Sequence, residues 1–171
     1  LHPGLVGVGA GSRRSCGVHR LDPGTSGVLV FAIGERAWRE ARSAFAEKRV
    51  AKRYVARVHG AFAGEREIEL RLESRGTHVR VVASGGRVAS SHVRALETGP
   101  ETSLVEIAMR TGVRHQIRAS LAEIGHPVVG DRLYGSELEL DRFWLHAVSI
   151  AWDDFSAEAE LPAELRPLTG R

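Results

Sequence analysis

Apolar positions along the chain follow two rhythms, one of period two and one of period near 3.6. The first fills residues 51–110. In AKRYVARVHG (51–60), Tyr54, Ala56 and Val58 alternate with Val55, Arg57 and His59, and in EREIELRLE (65–73), Ile68, Leu70 and Leu72 alternate with charges. HVRVVA (78–83) and residues 87–96 read as two more strands, and in TSLVEIAMR (102–110) Val105, Ile107 and Met109 share a face. Turn clusters such as Ser84-Gly85-Gly86 and Thr98-Gly99-Pro100 join these runs closely, which favours antiparallel pairing. The second rhythm predicts a helix over 35–48, with Trp38, Ala41 and Phe45 inward, and another over 114–125, with Ile117, Leu121 and Ile124 inward. Gly125 caps the latter and Pro127 stops it. The apolar run 28–32 reads as a short buried strand, FWLHAVSIAW (143–152) as a last strand, residues 1–17 as a glycine-rich loop, and the tail with Pro162 and Pro167 as a surface segment. The sum is a mixed α+β fold, a mainly antiparallel sheet flanked by helices, with no internal repeat or linker.

Composition narrows the class without choosing a function. A chain of 171 residues suits one domain, and 43% hydrophobic with 26% charged residues is ordinary for a globular fold. No run approaches the 18 apolar residues of a membrane span, and LHPGLVGVGAG lacks the basic start and long apolar core of a signal peptide. A single cysteine, Cys16, excludes an internal disulfide and a cysteine-based zinc site, so the expected compartment is cytoplasmic. A net charge of +3 permits nucleic acid without demanding it. The cations are nearly all arginine, Lys48 and Lys52 being the lysines; codon bias explains this more readily than bidentate phosphate recognition does.

Three places could carry chemistry. In GVHRLDPGTSGVLVFA (17–32), Arg20 and Asp22 stand at the lip of the predicted strand, and in extended chain both point the same way. Asp22 either caps the Pro23-Gly24 turn or is held there as a charged group beside a cation. In RTGVRHQIRASLAEIGHP (110–127), Arg114 and Arg118 lie four apart on one predicted helical face, with His115 beside Arg118, at a helix start that favours anions. A solvated basic face is the plainer reading. Tyr54 is either a core tyrosine or a platform for a base, with Lys52 and Arg53 placed for a backbone contact. The eight histidines show no metal-ligand spacing, and no phosphate loop, dinucleotide fingerprint or nucleophile elbow is present.

Taken together, these stretches resemble the RluA-type RNA pseudouridine synthases. HRLDPGTSGVLVFA matches that family's His-Arg-Leu-Asp signature with Thr-Ser-Gly, and KRYVARVHG its Lys-x-Tyr strand. RTGVRHQIRASLAEIGHPVVGDRLYG matches its His-Gln-Ile-Arg, Gly-His-Pro, Gly-Asp and Tyr-Gly series, and FWLHAVSI its late Leu-His-Ala strand. Val113-Arg114 replaces the more common Arg-Thr, with Arg114 supplying the displaced charge. The resemblance implies one catalytic domain over 1–171, its cleft across the sheet. LHPG at the start corresponds to a His-Pro-like stretch that follows the family's first strand, so that strand is expected to be missing, and no S4-type RNA-binding domain is expected before it.

The resemblance further implies isomerisation of uridine to pseudouridine in structured RNA, ribosomal or transfer, by a monomer needing no metal or other cofactor. Asp22 would be the catalytic group and Arg118 its ion-pair partner. Arg20 would hold the flipped uridine out of the stack, Tyr54 would pack on the uracil and assist proton removal, and Leu145 would line the base pocket. Lys52, Arg114 and His115 would contact the RNA. The alternative is a non-catalytic or truncated RNA-binding relative. A glycoside hydrolase is disfavoured, because no second carboxylate stands near Asp22 in sequence.

Overall fold

The computed structural model describes residues 17–167. The glycine-rich start, with LHPG, Arg13, Arg14 and Cys16, lies outside the described residues, as does the question of a missing first strand.

Among the described residues eight strands form one open sheet. In chain order the elements are β1 (Ser26–Gly27), α1 (Glu35–Ala46), β2 (Ala51–His59), β3 (Glu65–Arg75), β4 (His78–Val81), β5 (Arg87–Thr98), β6 (Thr102–Met109), α2 (Gln116–Glu123), β7 (Leu145–Trp152) and β8 (Phe155–Glu158). The spatial order is β1-β7-β2-β6-β5-β3-β4, with β8 on β7. Every pairing is antiparallel except β1 with β7. The period-two runs form the predicted sheet: β3 with β4, β5 with β6 and β7 with β8 meet through short turns, whereas central β2 pairs with the distant β6 and β7.

Central strand β2 is buried on both faces from Tyr54 to Val58. On one face Tyr54, Ala56 and Val58 pack with Ile107, Ile117, Leu121 and Leu145, which seats α2 against the sheet. On the other, Val55 packs with Leu104 and the fully buried Leu165. The tail is thus not a surface segment. A 3-10 turn at Ala163–Leu165 covers the back of the sheet, and buried Arg57 donates to the carbonyls of Glu164 and Arg166 as well as pairing with Glu97 at 3.3 Å.

Two further expectations change. The run 28–32 is not a buried strand: Leu29 and Phe31 are 41% and 51% exposed, and pairing with β7 is confined to Ser26 and Gly27. A Cβ on Gly27 would lie 2.1 Å from the Ala147 carbonyl oxygen, and its φ of +109° suits glycine, so chemistry at one residue sets this contact. The second helix begins at Gln116 rather than at residue 114, because His115 adopts a left-handed φ of +50° as its cap. Arg114 therefore lies outside the helix and does not share a face with Arg118. The first helix ends near its predicted boundary, with Ala41 and Ala44 buried.

Candidate active site

Asp22 is presented by a tight turn. The Thr25 N–H donates to the Asp22 carbonyl at 2.9 Å, Pro23 fixes the first corner, and Gly24 takes the second at φ +90°. A Cβ on Gly24 would meet the Phe143 ring at 2.9 Å, so this corner packs closely on the core. Parallel pairing of β1 with β7 then anchors the turn beside Leu145. The hydroxyl of Ser26 and His146 Nδ1 are 2.8 Å apart, a second tie between the two segments.

α2 supplies the cationic side. Its first residue, Gln116, is almost fully buried, and every polar atom of its amide has a partner. The amide N–H groups donate to the Ser90 carbonyl (3.0 Å) and the Ser91 hydroxyl (2.9 Å), and its oxygen accepts from the Thr111 hydroxyl (2.8 Å) and the Val113 N–H (3.0 Å). This latch fixes the start of α2 on β5 and turns Arg118 inward. Arg118 makes a bidentate pair with buried Asp131, at 2.6 and 2.7 Å, and its third nitrogen stands 3.5 Å from Asp22. Its guanidinium also lies over the rings of Phe143 (4.3 Å) and Tyr134 (5.0 Å). Burial works against the Arg118 charge, but Asp131 and then Asp22 outweigh it and carry its pKa above the ordinary value.

His115 stands on the other side of Asp22, with Nε2 3.9 Å from the carboxylate. Its Nδ1 is 2.9 Å from the Tyr134 hydroxyl, which itself accepts from the Val79 N–H at 2.8 Å. With that acceptor role filled, the phenol proton is free to go to Nδ1, which leaves Nε2–H facing Asp22. Burial lowers the His115 pKa, the Asp22 charge opposing, so the ring is neutral at pH 7.

Tyr54 closes the site from β2. Burial, aided by the Asp22 charge, pushes its phenol up to about 12. Lys52, two residues before it, is held below the ordinary lysine value by burial and donates to the Thr111 carbonyl at 2.9 Å. Arg20 is exposed at the mouth. Arg114 turns away from Arg118 and donates to the carbonyls of Gly76 and Thr77, both at 2.8 Å.

All of these side chains line one cavity of about 390 Å³: Asp22, Tyr54, Arg118, Arg20, Lys52, Arg114, His115 and Leu145. Residues that lie up to 125 positions apart in sequence thus share one pocket. Sequence reasoning assigned no role to Asp131, Tyr134, Gln116 or Phe143. Asp131 and Tyr134 stood in view in GDRLYG, where an aspartate after a glycine is also an ordinary turn residue; nothing local says that it meets Arg118.

The family described as RNA pseudouridylate synthase matches residues 10–123. The chain belongs to this family. A curated family member from Mycobacterium bovis, an uncharacterized RNA pseudouridine synthase, is 39% identical over 144 residues, which cover 79% of this chain and 47% of the relative. Ribosomal large subunit pseudouridine synthase C of Vibrio cholerae is 32% identical over 154 residues, 84% of this chain and 49% of the relative. The chain spans about half the length of these relatives. The solved structure of human RNA pseudouridylate synthase domain containing 1 matches with a TM-score of 0.77 at 28% identity, covering 90% of this chain and 71% of that one. This pseudouridylate synthase fold is the open, mixed eight-stranded sheet described above. No helix among the described residues is long and apolar enough to cross a membrane.

Proposed function

We propose that this chain converts uridine to pseudouridine in structured RNA, ribosomal or transfer, with Asp22 as the catalytic group. The observation that carries this reading is the Asp22 carboxylate at 3.5 Å from Arg118, in a cavity that Tyr54 and Leu145 also line. The cavity is of the size that takes a small planar ligand.

The reaction breaks the N1–C1′ bond, turns the uracil and joins C5 to C1′. The hydrogen that C5 loses is matched by one gained at N1, so the change is an isomerisation with no redox step. A single anionic oxygen in a water-poor pocket is the reagent such an exchange needs. Arg118, itself held by Asp131, stands 3.5 Å from Asp22 as its cationic partner. Tyr54 packs on the uracil as a neutral phenol and offers a hydrogen bond. Its pKa, raised to about 12 chiefly by burial, keeps that phenol protonated at neutral pH. Arg20, exposed at the mouth, fills the gap that the flipped nucleotide leaves in the RNA stack; extrusion costs a few kcal/mol.

The test is tritium release from cellular RNA carrying 5-tritiated uridine. Wild type should release tritium, and Asp22→Asn should release none while still binding RNA. Turnover that survives in Asp22→Asn would remove Asp22 from the reaction. Binding without release by wild type would make the chain a non-catalytic relative.

A further inference from the structure

Ion pairing divides the cations of this protein into two sets. Most arginines meet a carboxylate: Arg53 pairs with Glu106 and Glu158, Arg94 with Glu106, Arg132 with Glu139. Arg20, Arg42, Lys48, Lys52, Arg87 and Arg114 have no carboxylate within 4.0 Å among the described residues. Three of them instead donate to backbone carbonyls: Arg42 to Val18 (3.4 Å), Lys52 to Thr111, and Arg114 to Gly76 and Thr77. A carbonyl orients a cation without cancelling its charge.

These six also lie together. A second cavity, of about 770 Å³, adjoins the Asp22 pocket, and the two share Arg42, Phe45, Lys52, Arg87, Gly112 and Val113 as common walls. Lys48 and Arg110 line the second cavity alone, Arg110 being paired with Glu67 at 2.8 Å. Asp22 is the sole carboxylate lining either cavity among the described residues. The other arginines without a carboxylate partner on the described surface are Arg66 and Arg71, both on β3, and Arg166 near the tail, all outside both cavities. The chain thus neutralises its arginines over most of the surface and leaves them bare along one trough that ends at Asp22.

We propose that the second cavity is a subsite for the ribose–phosphate backbone of single-stranded nucleotides flanking the base held at Asp22. Lys48, at the end of α1, and Arg87, at the start of β5, are its phosphate contacts. The proposal rests on the pseudouridine synthase reading for what occupies the Asp22 pocket, but the charge pattern is independent of it. The two cavities share walls, so the chain that occupies the second is the chain next to the extruded nucleotide, which has lost its stacking on that side. Half-exposed Val88 and the edge of Phe45 give the trough an apolar strip between its cations, suited to unstacked ribose and base faces. The side chains of Lys48 and Arg87 make no hydrogen bond or ion pair with any described residue, so both are free to turn towards phosphate.

Fluorescence anisotropy of a labelled single-stranded oligoribonucleotide, titrated at several salt concentrations, tests this. Each phosphate contact to a single strand contributes about 0.7 to the log–log salt slope. The double variant Lys48→Gln, Arg87→Gln should lower the slope by about 1.4 and weaken binding about 25-fold at 0.1 M salt. Lys48→Arg with Arg87→Lys should restore the slope, and Arg66→Gln with Arg71→Gln should leave it unchanged. A wild-type slope in the first variant, or an equal fall in the Arg66, Arg71 control, would overturn the subsite. The readout is binding, so loss of tritium release with an intact slope effect would sink the catalytic reading and leave the subsite standing.

Discussion

At the scale of single residues, Arg118 is the centre of the site and Asp131 is its principal partner. The contact to Asp22 is longer than either bond to Asp131, so Arg118 is fixed by the inner carboxylate and presents its remaining nitrogen to the outer one. Under the proposed function, this arrangement would let Asp22 engage substrate without releasing the arginine. Asp131 is 1% exposed, and removing one partner of a buried pair leaves an uncompensated charge. Asp131→Ala should therefore cost about 3–5 kcal/mol in urea denaturation and should also depress tritium release. Stability within experimental error of wild type would show that Arg118 finds its support elsewhere. Asp22→Asn, with its side chain partly exposed at the pocket, should be nearly neutral in the same denaturation. The pair of variants separates a residue that acts on substrate from one that acts through Arg118.

At the scale of elements, two short connections aim the chemistry. The turn 22–25 carries Asp22 and is anchored where β1 meets β7; the latch at Gln116 carries Arg118 and His115 and is anchored on β5. Gln116→Leu would strand the Ser91 hydroxyl and the Val113 N–H together, while the Ser90 carbonyl keeps the Arg110 N–H. Each unsatisfied buried group costs about 1–3 kcal/mol, so amide exchange at the start of α2 should accelerate by an order of magnitude or more. Unchanged protection over 116–120 would refute the latch. The latch was not legible in the sequence, because a glutamine at the start of a helical pattern is a common exposed residue. The helix itself was legible, because Ile117, Leu121 and Ile124 repeat locally. Its start was misplaced by two residues, since the left-handed cap at His115 answers to tertiary packing rather than to propensity.

At the scale of the whole molecule, buried histidines tie stability to pH. His19, His115 and His146 all have pKa values lowered from the ordinary 6.5, each chiefly by burial. His19 Nε2 accepts from the Val30 N–H at 3.0 Å, a bond that protonation would break. A lowered folded-state pKa means that the unfolded chain takes up protons first as pH falls. The stability these groups contribute is therefore complete above pH 6.5 and is lost below it, towards their folded values. The thermal midpoint should fall between pH 7 and pH 5, and His19→Gln should flatten that fall. A midpoint independent of pH over this window would contradict the buried, neutral state of these rings.

β8 and the two-residue β1 escaped the sequence, but its local pattern sufficed for strands β2 to β7, for the two helices and for the antiparallel pairing. Those features follow from local alternation, turn residues and short loops, and each is readable within about a dozen positions. Only the tertiary structure decided that Asp131 holds Arg118, that Arg114 turns to the carbonyls of Gly76 and Thr77, and that Leu165 covers the back of the sheet. It also decided that Leu29 and Phe31 stay exposed while, in this segment, only Ser26 and Gly27 pair with β7. Each of these depends on which distant segment arrives at a given face. Arginine and aspartate, moreover, have many available partners along a chain, and packing selects one.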